Sequence, residues 1–394
     1  MVGAGTTDGA TVDNGVRMLR SLTLGLLAAA ACGADELFPA LNLEAHGFVS
    51  FGHLQTWGNN WLGPTRDGSN EFWEGALNVI ARPIDHLRLG AQVFARDLGE
   101  FDNGKAQLDW AYADWRQNDA IGVQVGRVKL PIGLYNESLD IDAARTPIFL
   151  PPAVYALRAR DLFVSTDGAK IYGLLGPCEY AAYLGAKPFD HRGGFATYMS
   201  QLGLGDRIDD ISADAIGGAM LHWHTPLQGL ALRLTLTDLH GFTVTGTTSG
   251  ATIDTAVDDY LMGIVSLAYE CRDWTYACEF ERLRGHGTVS IPALAQTIPL
   301  IDNSEGAYLN ATWHAKPWLE WYAAAEASWA DAGDPTGVHA YTGVFAIHVL
   351  PLANWSLKAE FRDVHGTMGA SAVDNPAGVE KHWQVLALKT TVDF

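Results

Sequence analysis

The chain has 394 residues and a formal charge of −19, with 48% hydrophobic and only 18% charged residues. That balance excludes intrinsic disorder, which needs little apolar content and dense charge. The 26 Lys and Arg against 45 Asp and Glu lack the basic footprint of a nucleic-acid binder, and four Cys in so long a chain exclude a disulfide scaffold.

At the N-terminus, residues 19–31 (LRSLTLGLLAAAA) form a short apolar run behind Arg17 and Arg20, followed by small residues to Ala34. This pattern predicts a secretory signal peptide cut near 31–34, too short for a spanning helix. Residues 1–17 lack the character of such a leader, so Met18 is the expected start and 1–34 is read as extension plus signal peptide. Residues 35–394 are read as one domain. No run of 18 apolar residues follows position 34, so no helical span is expected.

From residue 44 onward the dominant signal is alternation at period 2. In Leu87–Arg96 the Leu87, Leu89, Ala91, Val93 and Ala95 face opposes Arg88, Gly90, Gln92, Phe94 and Arg96. In Leu230–Asp238 four leucines, 230, 232, 234 and 236, oppose Ala231, Arg233, Thr235 and Thr237. Leu319–Trp329 sets Trp321, Trp329 and alanines against Glu320, Tyr322 and Glu326, and Trp355–Arg362 sets Trp355, Leu357 and Phe361 against Lys358, Glu360 and Arg362. Segments 108–116 and 121–129 allow either face outward. Seven tight turns rich in Pro, Gly, Asn and Asp join the strands in pairs: 83–85, 117–120, 176–178, 226–229, 272–273, 316–317 and 351–354. Longer polar connections fall at about 59–71, 99–105, 131–167, 187–214, 241–257, 286–304, 332–339 and 367–380. Seven short turns and eight long loops imply sixteen strands.

A soluble sandwich would bury the greasy faces, whereas a membrane barrel turns them to lipid and lines its lumen with the polar faces. Tryptophan placement favours the barrel. Trp115, Trp223, Trp274, Trp313, Trp318, Trp321 and Trp355 sit beside the short turns, and Trp57, Trp61, Trp73 and Trp329 near the long loops. These are two bands, as interfacial girdles require. Trp321 to Trp329 spans ~27 Å along a strand, or ~20 Å vertically at a tilt of about 40°, close to an apolar band of ~25 Å. The expected fold is therefore an all-β transmembrane antiparallel barrel.

Two segments resemble a known family. The stretch GRVKLPIGLYNESLDIDAARTPIFLPPAVYALRARDLFVSTDGAKIYG at 126–173 is similar to the end of the fifth strand entering the third loop of bacterial outer-membrane porins, including the phosphate-selective group. The final strand WQVLALKTTVDF, ending on Phe394, resembles the C-terminal signature of such barrels. The resemblance implies sixteen strands, a homotrimer, and a third loop folded inward to narrow a water-filled pore. Phe149, Leu150, Val154 and Tyr155 are too apolar for a freely solvated loop, and long loops in compact domains are usually functional.

That loop carries Asp140, Asp142, Arg145, Arg158, Arg160 and Asp161, read either as a charged filter or as salt bridges that fix the loop to the wall. In a closed barrel the last strand pairs with the first. Arg82, Arg88, Arg96, Lys358, Arg362 and Lys389 would then face the lumen on one contiguous side, diluted by Glu74 and Glu360. Glu279, Glu281, Glu320 and Glu326 would oppose them, setting up a transverse field, with Arg233 inward on another strand. Phosphate selectivity does not carry over, because only eight Lys occur and no loop holds a basic run.

His222 and His224 share a face and could bind a metal given a third ligand, but none is evident, so no metal or other cofactor is expected. Cys271 and Cys278 flank a turn in offset register, and Glu279 with Glu281 reads as alternating lumen carboxylates rather than an acid/base pair. No GxSxG, HExxH, Walker or CxxC element occurs, so no catalytic residues are assigned. The expectation is an outer-membrane porin passing small hydrophilic solutes or ions, with lipid as its surroundings, both termini periplasmic and the long loops outside. The alternatives are an outer-membrane barrel enzyme and a secreted soluble glycan-binding β-protein.

Overall fold

The computed structural model describes residues 42–394. The expected signal peptide and the extension before it lie outside the described residues.

The alternating segments form eighteen strands in one antiparallel sheet. In chain order they are β1 (Leu43–Trp57), β2 (Phe72–Ile84), β3 (Leu87–Leu98), β4 (Gln107–Asn118), β5 (Ile121–Lys129), β6 (Ser165–Leu175), β7 (Cys178–Ala186), β8 (Arg207–Ser212), β9 (Ala215–His224), β10 (Leu230–Thr248), β11 (Ala251–Cys271), β12 (Trp274–Ile291), β13 (Gln296–Asp302), β14 (Glu305–Lys316), β15 (Leu319–Trp329), β16 (His339–Leu352), β17 (Trp355–Gly366) and β18 (His382–Asp393). Sixteen of them close a ring. β7 pairs with β9 and β12 with β14, while β8 and β13 attach to the far ends of β10 and β12 outside the ring sequence. The seam joins β18 to β1 from Phe48 opposite Asp393 to Trp57 opposite Gln384. Closure leaves no unpaired edge within the ring of sixteen. All seven tight turns fall where the sequence placed them.

Burial follows the pleat with the polar side inward. Leu234 and Leu236 are 46% and 48% exposed, whereas Thr235 and Thr237 are 0% and 1%. On β17, Leu357 and Phe361 are exposed while Ser356, Lys358, Glu360 and Arg362 are buried. A water-soluble sandwich would invert this pattern. The barrel's exterior is apolar and its interior polar, the arrangement that suits a barrel set in lipid.

On the turn side, Trp115, Trp223, Trp274, Trp313, Trp318 and Trp355 are all exposed, and Trp274 stacks on Trp313 at 5.9 Å. On the loop side Trp57 is exposed and Trp73 and Trp329 are half-buried. Trp61 departs from the expected girdle. It is buried inside against Phe149 and Trp383.

Two connections expected as loops are strands. Residues 241–257 lie in the β10–β11 hairpin, whose tip is only 249–250, and 286–304 lie mostly in β12 and β13. β10 and β11 run 19 and 21 residues, roughly twice the ~10 that cross a bilayer. The Thr- and Gly-rich outer part reads as loop, yet its alternation keeps pairing. At Gly241, with φ +63°, the β10–β11 register runs on unbroken, His240 opposite Asp259 and Phe242 opposite Val257, while the β11–β12 register shifts between Val257 and Asp259. The pleat of β10 changes face at Gly241, so Leu239 below it and Phe242 and Val244 above it are all buried.

Candidate pore constriction

Residues 130–164, between β5 and β6, fold into the barrel through short helical turns at Asn136–Ser138, Asp142–Ala144, Leu157–Ala159 and Arg160–Phe163. Apolar side chains drive the segment in. Leu130, Ile132, Ile148, Phe149, Leu150, Val154, Tyr155 and Leu162 are buried, and complete burial of one such side chain is worth about 1.5–3 kcal/mol. Phe149 stacks on Phe72 at 5.6 Å and meets Trp61 edge-on at 5.0 Å. The tip presses on the far wall, where a Cβ at Gly306 would lie 1.7 Å from the Ala153 carbonyl oxygen. Only glycine permits that approach.

Five of the six charged residues of the segment that the sequence singled out have a hydrogen-bond or ion-pair partner, and the sixth, Arg158, packs on a ring while its Nη2 is buried without a hydrogen-bond partner. Asp142 accepts hydrogen bonds from Lys389 at 3.0 Å and Thr391 at 2.8 Å, and lies 3.2 Å from the Lys358 ammonium. Burial pushes its carboxyl up, but Lys389, Lys358 and Arg145 outweigh that and hold it well below the usual carboxylate range. Asp140 accepts from Gln92, and from Lys129 at 2.5 Å. Arg145 donates to the Leu139 carbonyl at 2.5 Å and Arg160 to Asp109 at 2.8 Å. Arg158 lies over the Phe101 ring at 5.5 Å, and Asp161 accepts from Gln107 at 3.4 Å. Further along, Thr146 donates to Glu320 at 2.7 Å, and the amides of Ile148 and Phe149 donate to Glu360 at 2.6 and 3.1 Å.

On the wall, Arg82 pairs with Glu44 at 2.5 Å and Arg88 with Asp114 at 2.8 Å, both at the turn-side mouth. Arg96 pairs with Asp102, and Arg233 donates to the Gly133 carbonyl at 2.7 Å. Lys358 donates to the carbonyls of Asp142 and Arg145 at 2.6 Å each, and Lys389 to Glu74 at 2.6 Å. Glu279 accepts from Tyr155, from Tyr308 at 2.7 Å, from Ser266 at 2.5 Å and from the Leu134 amide at 2.9 Å. Glu320 accepts from Thr146 and meets His314 and His348 at 2.9 and 3.1 Å. Glu281 lines the loop-side cavity.

The expected separation of a basic wall from an acidic one is corrected here. Arg362 binds Glu326 through both carboxylate oxygens at 2.7 Å and Glu360 at 2.8 Å, with only β16 between β15 and β17. Lys389 and Lys358 are likewise matched locally. At these positions adjacent opposite charges offset one another at short range, whereas Glu279 is held by neutral donors alone.

Several partners escaped the sequence reading. Asp109 and Asp114 sit on β4, whose inward face was ambiguous, and the register beside it skips between Gln92 and Val93. A second segment, 187–214, also covers the loop-side mouth. Its helix Gly194–Gln201 buries Phe195 and Met199, and the Gly194 amide donates to Asp102 at 2.8 Å. His222 and His224 do gain a third group, Glu179, whose carboxylate lies 2.7 Å from His224. Cys271 faces Trp274 and Cys278 faces Leu267, and both thiols are free.

Two cavities flank the inward segment. The turn-side one, about 900 Å³, is lined by Arg82, Arg88, Asp114, Glu137, Lys170 and Tyr172 among others. The loop-side one, about 710 Å³, is lined by Trp61, Phe163, Phe195, Glu281, Arg362 and Trp383 among others. They share no lining residue, and the segment borders both, through Glu137 on one side and Pro152 to Phe163 on the other.

No family model and no curated protein sequence matches the chain. Solved structures do. OmpT, an outer membrane protein of Vibrio cholerae, superposes with a TM-score of 0.59 at 11% identity, covering 90% of this chain and 98% of that one. Salmonella typhi OmpF, in complex with daunomycin, gives 0.59 at 13% identity over 90% and 98%. The anion-selective porin from Comamonas acidovorans gives 0.56 at 11% over 89% and 99%. The chain therefore has the fold of the outer-membrane porins. Within that fold it is a closed barrel of sixteen strands with an inward third loop.

Proposed function

We propose that the protein is an outer-membrane porin through which small hydrophilic solutes or ions diffuse passively, and that segment 131–167 is its constriction. The observation that carries this reading is one arrangement: an apolar exterior around a charged interior, with a cavity at each end of a single inward segment. The exterior suits lipid, and the charged wall replaces part of a solute's hydration. Asp140, Asp142, Arg145, Arg158, Arg160 and Asp161 then set the size and charge limits together, because each either faces or anchors the narrow part. The signal sequence, the barrel domain 35–394 and the trimer expected from the resemblance belong to the same proposal. One similar structure is a trimer form of OmpT. No catalytic residue or cofactor is assigned.

The seated segment makes the route narrow, so the reading expects small conductance steps. The test is reconstitution of the full chain in a planar bilayer. Stepwise openings without added ligand, followed by a reversal potential in a salt gradient, are the expected result. A correctly folded barrel that inserts and stays silent at all voltages overturns the proposal.

A further inference from the structure

A cluster unrelated to the lumen lies on the outward face near the loop-side end of β17 and β18. Asp363 and His365 are two residues apart on β17 and share a face. His382 stands directly across from His365 in the register, and Gln384 across from Asp363. The two imidazoles stack at 4.4 Å with an interplanar angle of 8°. Both turn Nε2 to one carboxylate, His365 at 3.1 Å from Oδ2 and His382 at 2.9 Å from Oδ1. The three donor atoms lie within 4.8 Å of one another, and both histidines are exposed.

We propose that Asp363, His365 and His382 form a binding site for a first-row divalent transition metal such as Zn2+. Two imidazole nitrogens and one carboxylate oxygen are the donors that zinc, copper and nickel take, whereas calcium and magnesium demand more oxygens. Nε2 coordination leaves Nδ1 of each ring to carry the proton. The cross-strand pairing fixes both histidine backbones before the ion arrives, so a small rotation of the side chains brings three ligands to one point. The fourth position is left open by the protein, since more than half of each histidine side chain is exposed.

The other three-ligand cluster among the described residues, Glu179, His222 and His224, is less suited. Arg233 donates to Nδ1 of His222 at 2.9 Å, so a fixed cation already occupies one donor and repels a second.

The experiment is Zn2+ titration calorimetry on the refolded full chain in detergent, with Cu2+ electron paramagnetic resonance alongside. A single Zn2+ per chain is expected, unaffected by excess Ca2+, with two nitrogens coupled to Cu2+. Loss of a ligand costs no less than loss of its supporting shell, so His365→Ala and His382→Ala should each weaken binding by at least about tenfold. His222→Ala should leave it unchanged. Rim substitutions outside the lumen leave the barrel folded, which heat-modifiable gel mobility verifies. The proposal is overturned if Zn2+ does not bind, if Ca2+ displaces it, or if His222→Ala rather than the β17–β18 variants abolishes binding.

Discussion

Asp142→Asn is the sharpest perturbation of the seated segment. Asp142 lies between two lysines whose side chains are 0% and 1% exposed. The substitution keeps the shape and removes the charge. Lys389 retains Glu74, but Lys358 is left with two carbonyls and no anion. Removing one partner of a buried ion pair costs about 3–5 kcal/mol, and the surviving Glu74 contact places this case near ~3 kcal/mol. At 1.4 kcal/mol per decade, the balance between seated and released segment moves by about two orders of magnitude. The carboxyl is depressed in the folded state, so its contribution is complete above its unfolded value of about 3.9 and is lost as pH falls through the lower folded value. The wild type should therefore conduct alike between about pH 5 and 7. Single-channel recording should show Asp142→Asn with larger steps and a reversal potential displaced toward anions, and Lys358→Met added to it should restore much of both. An Asp142→Asn barrel that folds yet conducts and selects like the wild type would refute the clamp.

Gly306→Ala should push the tip off the wall, because its Cβ would collide with the Ala153 carbonyl, whereas Gly343→Ala meets nothing within 4 Å. Limited proteolysis near 151–157 should accelerate in the first variant alone. Leu234→Arg puts a guanidinium on the exposed apolar face and should cost about 2–4 kcal/mol if the site lies near the bilayer midplane, read from denaturant titration in lipid vesicles. Leu234→Ala should cost far less. Burial and the neighbouring Glu100 push the Asp374 carboxyl up to about 6, so the ionised form is the disfavoured one. Contacts of Asn60 with Asp374 and Asn375 should gain stability as pH falls through about 6 toward the unfolded value of about 4, seen as rising amide protection corrected for intrinsic exchange. Asp374→Asn should abolish that dependence.

How far the sequence could be read follows from the physics of each feature. Strand faces were legible because the side-chain period is 2, so Leu234 and Thr235 declare opposite environments without knowledge of any partner. The inward turn of 131–167 was legible from Phe149 and Val154, whose burial needs a wall. Pairings were not. Glu326 reaches Arg362 across an intervening strand, and His365 meets His382 across a connection, because register and barrel shear bring them level. Local pattern carries neither quantity. The β10–β11 extension is not legible because Thr and Gly serve in turns as well as in strands, and the change of face at Gly241 interrupts the alternation.

The seam between β1 and β18 has a consequence for biogenesis. Gly47 and Phe394 exchange both backbone hydrogen bonds at 2.9 Å, so the earliest and latest described strands complete one another. Ring closure of that span carries the largest loop entropy in the molecule and cannot precede release of the carboxyl-terminal strand from the ribosome. Until then β1 has β2 as its one neighbour and its other edge is unpaired. Removing the last few residues of β18 should therefore leave β1 unpaired on that side and an open, aggregation-prone sheet.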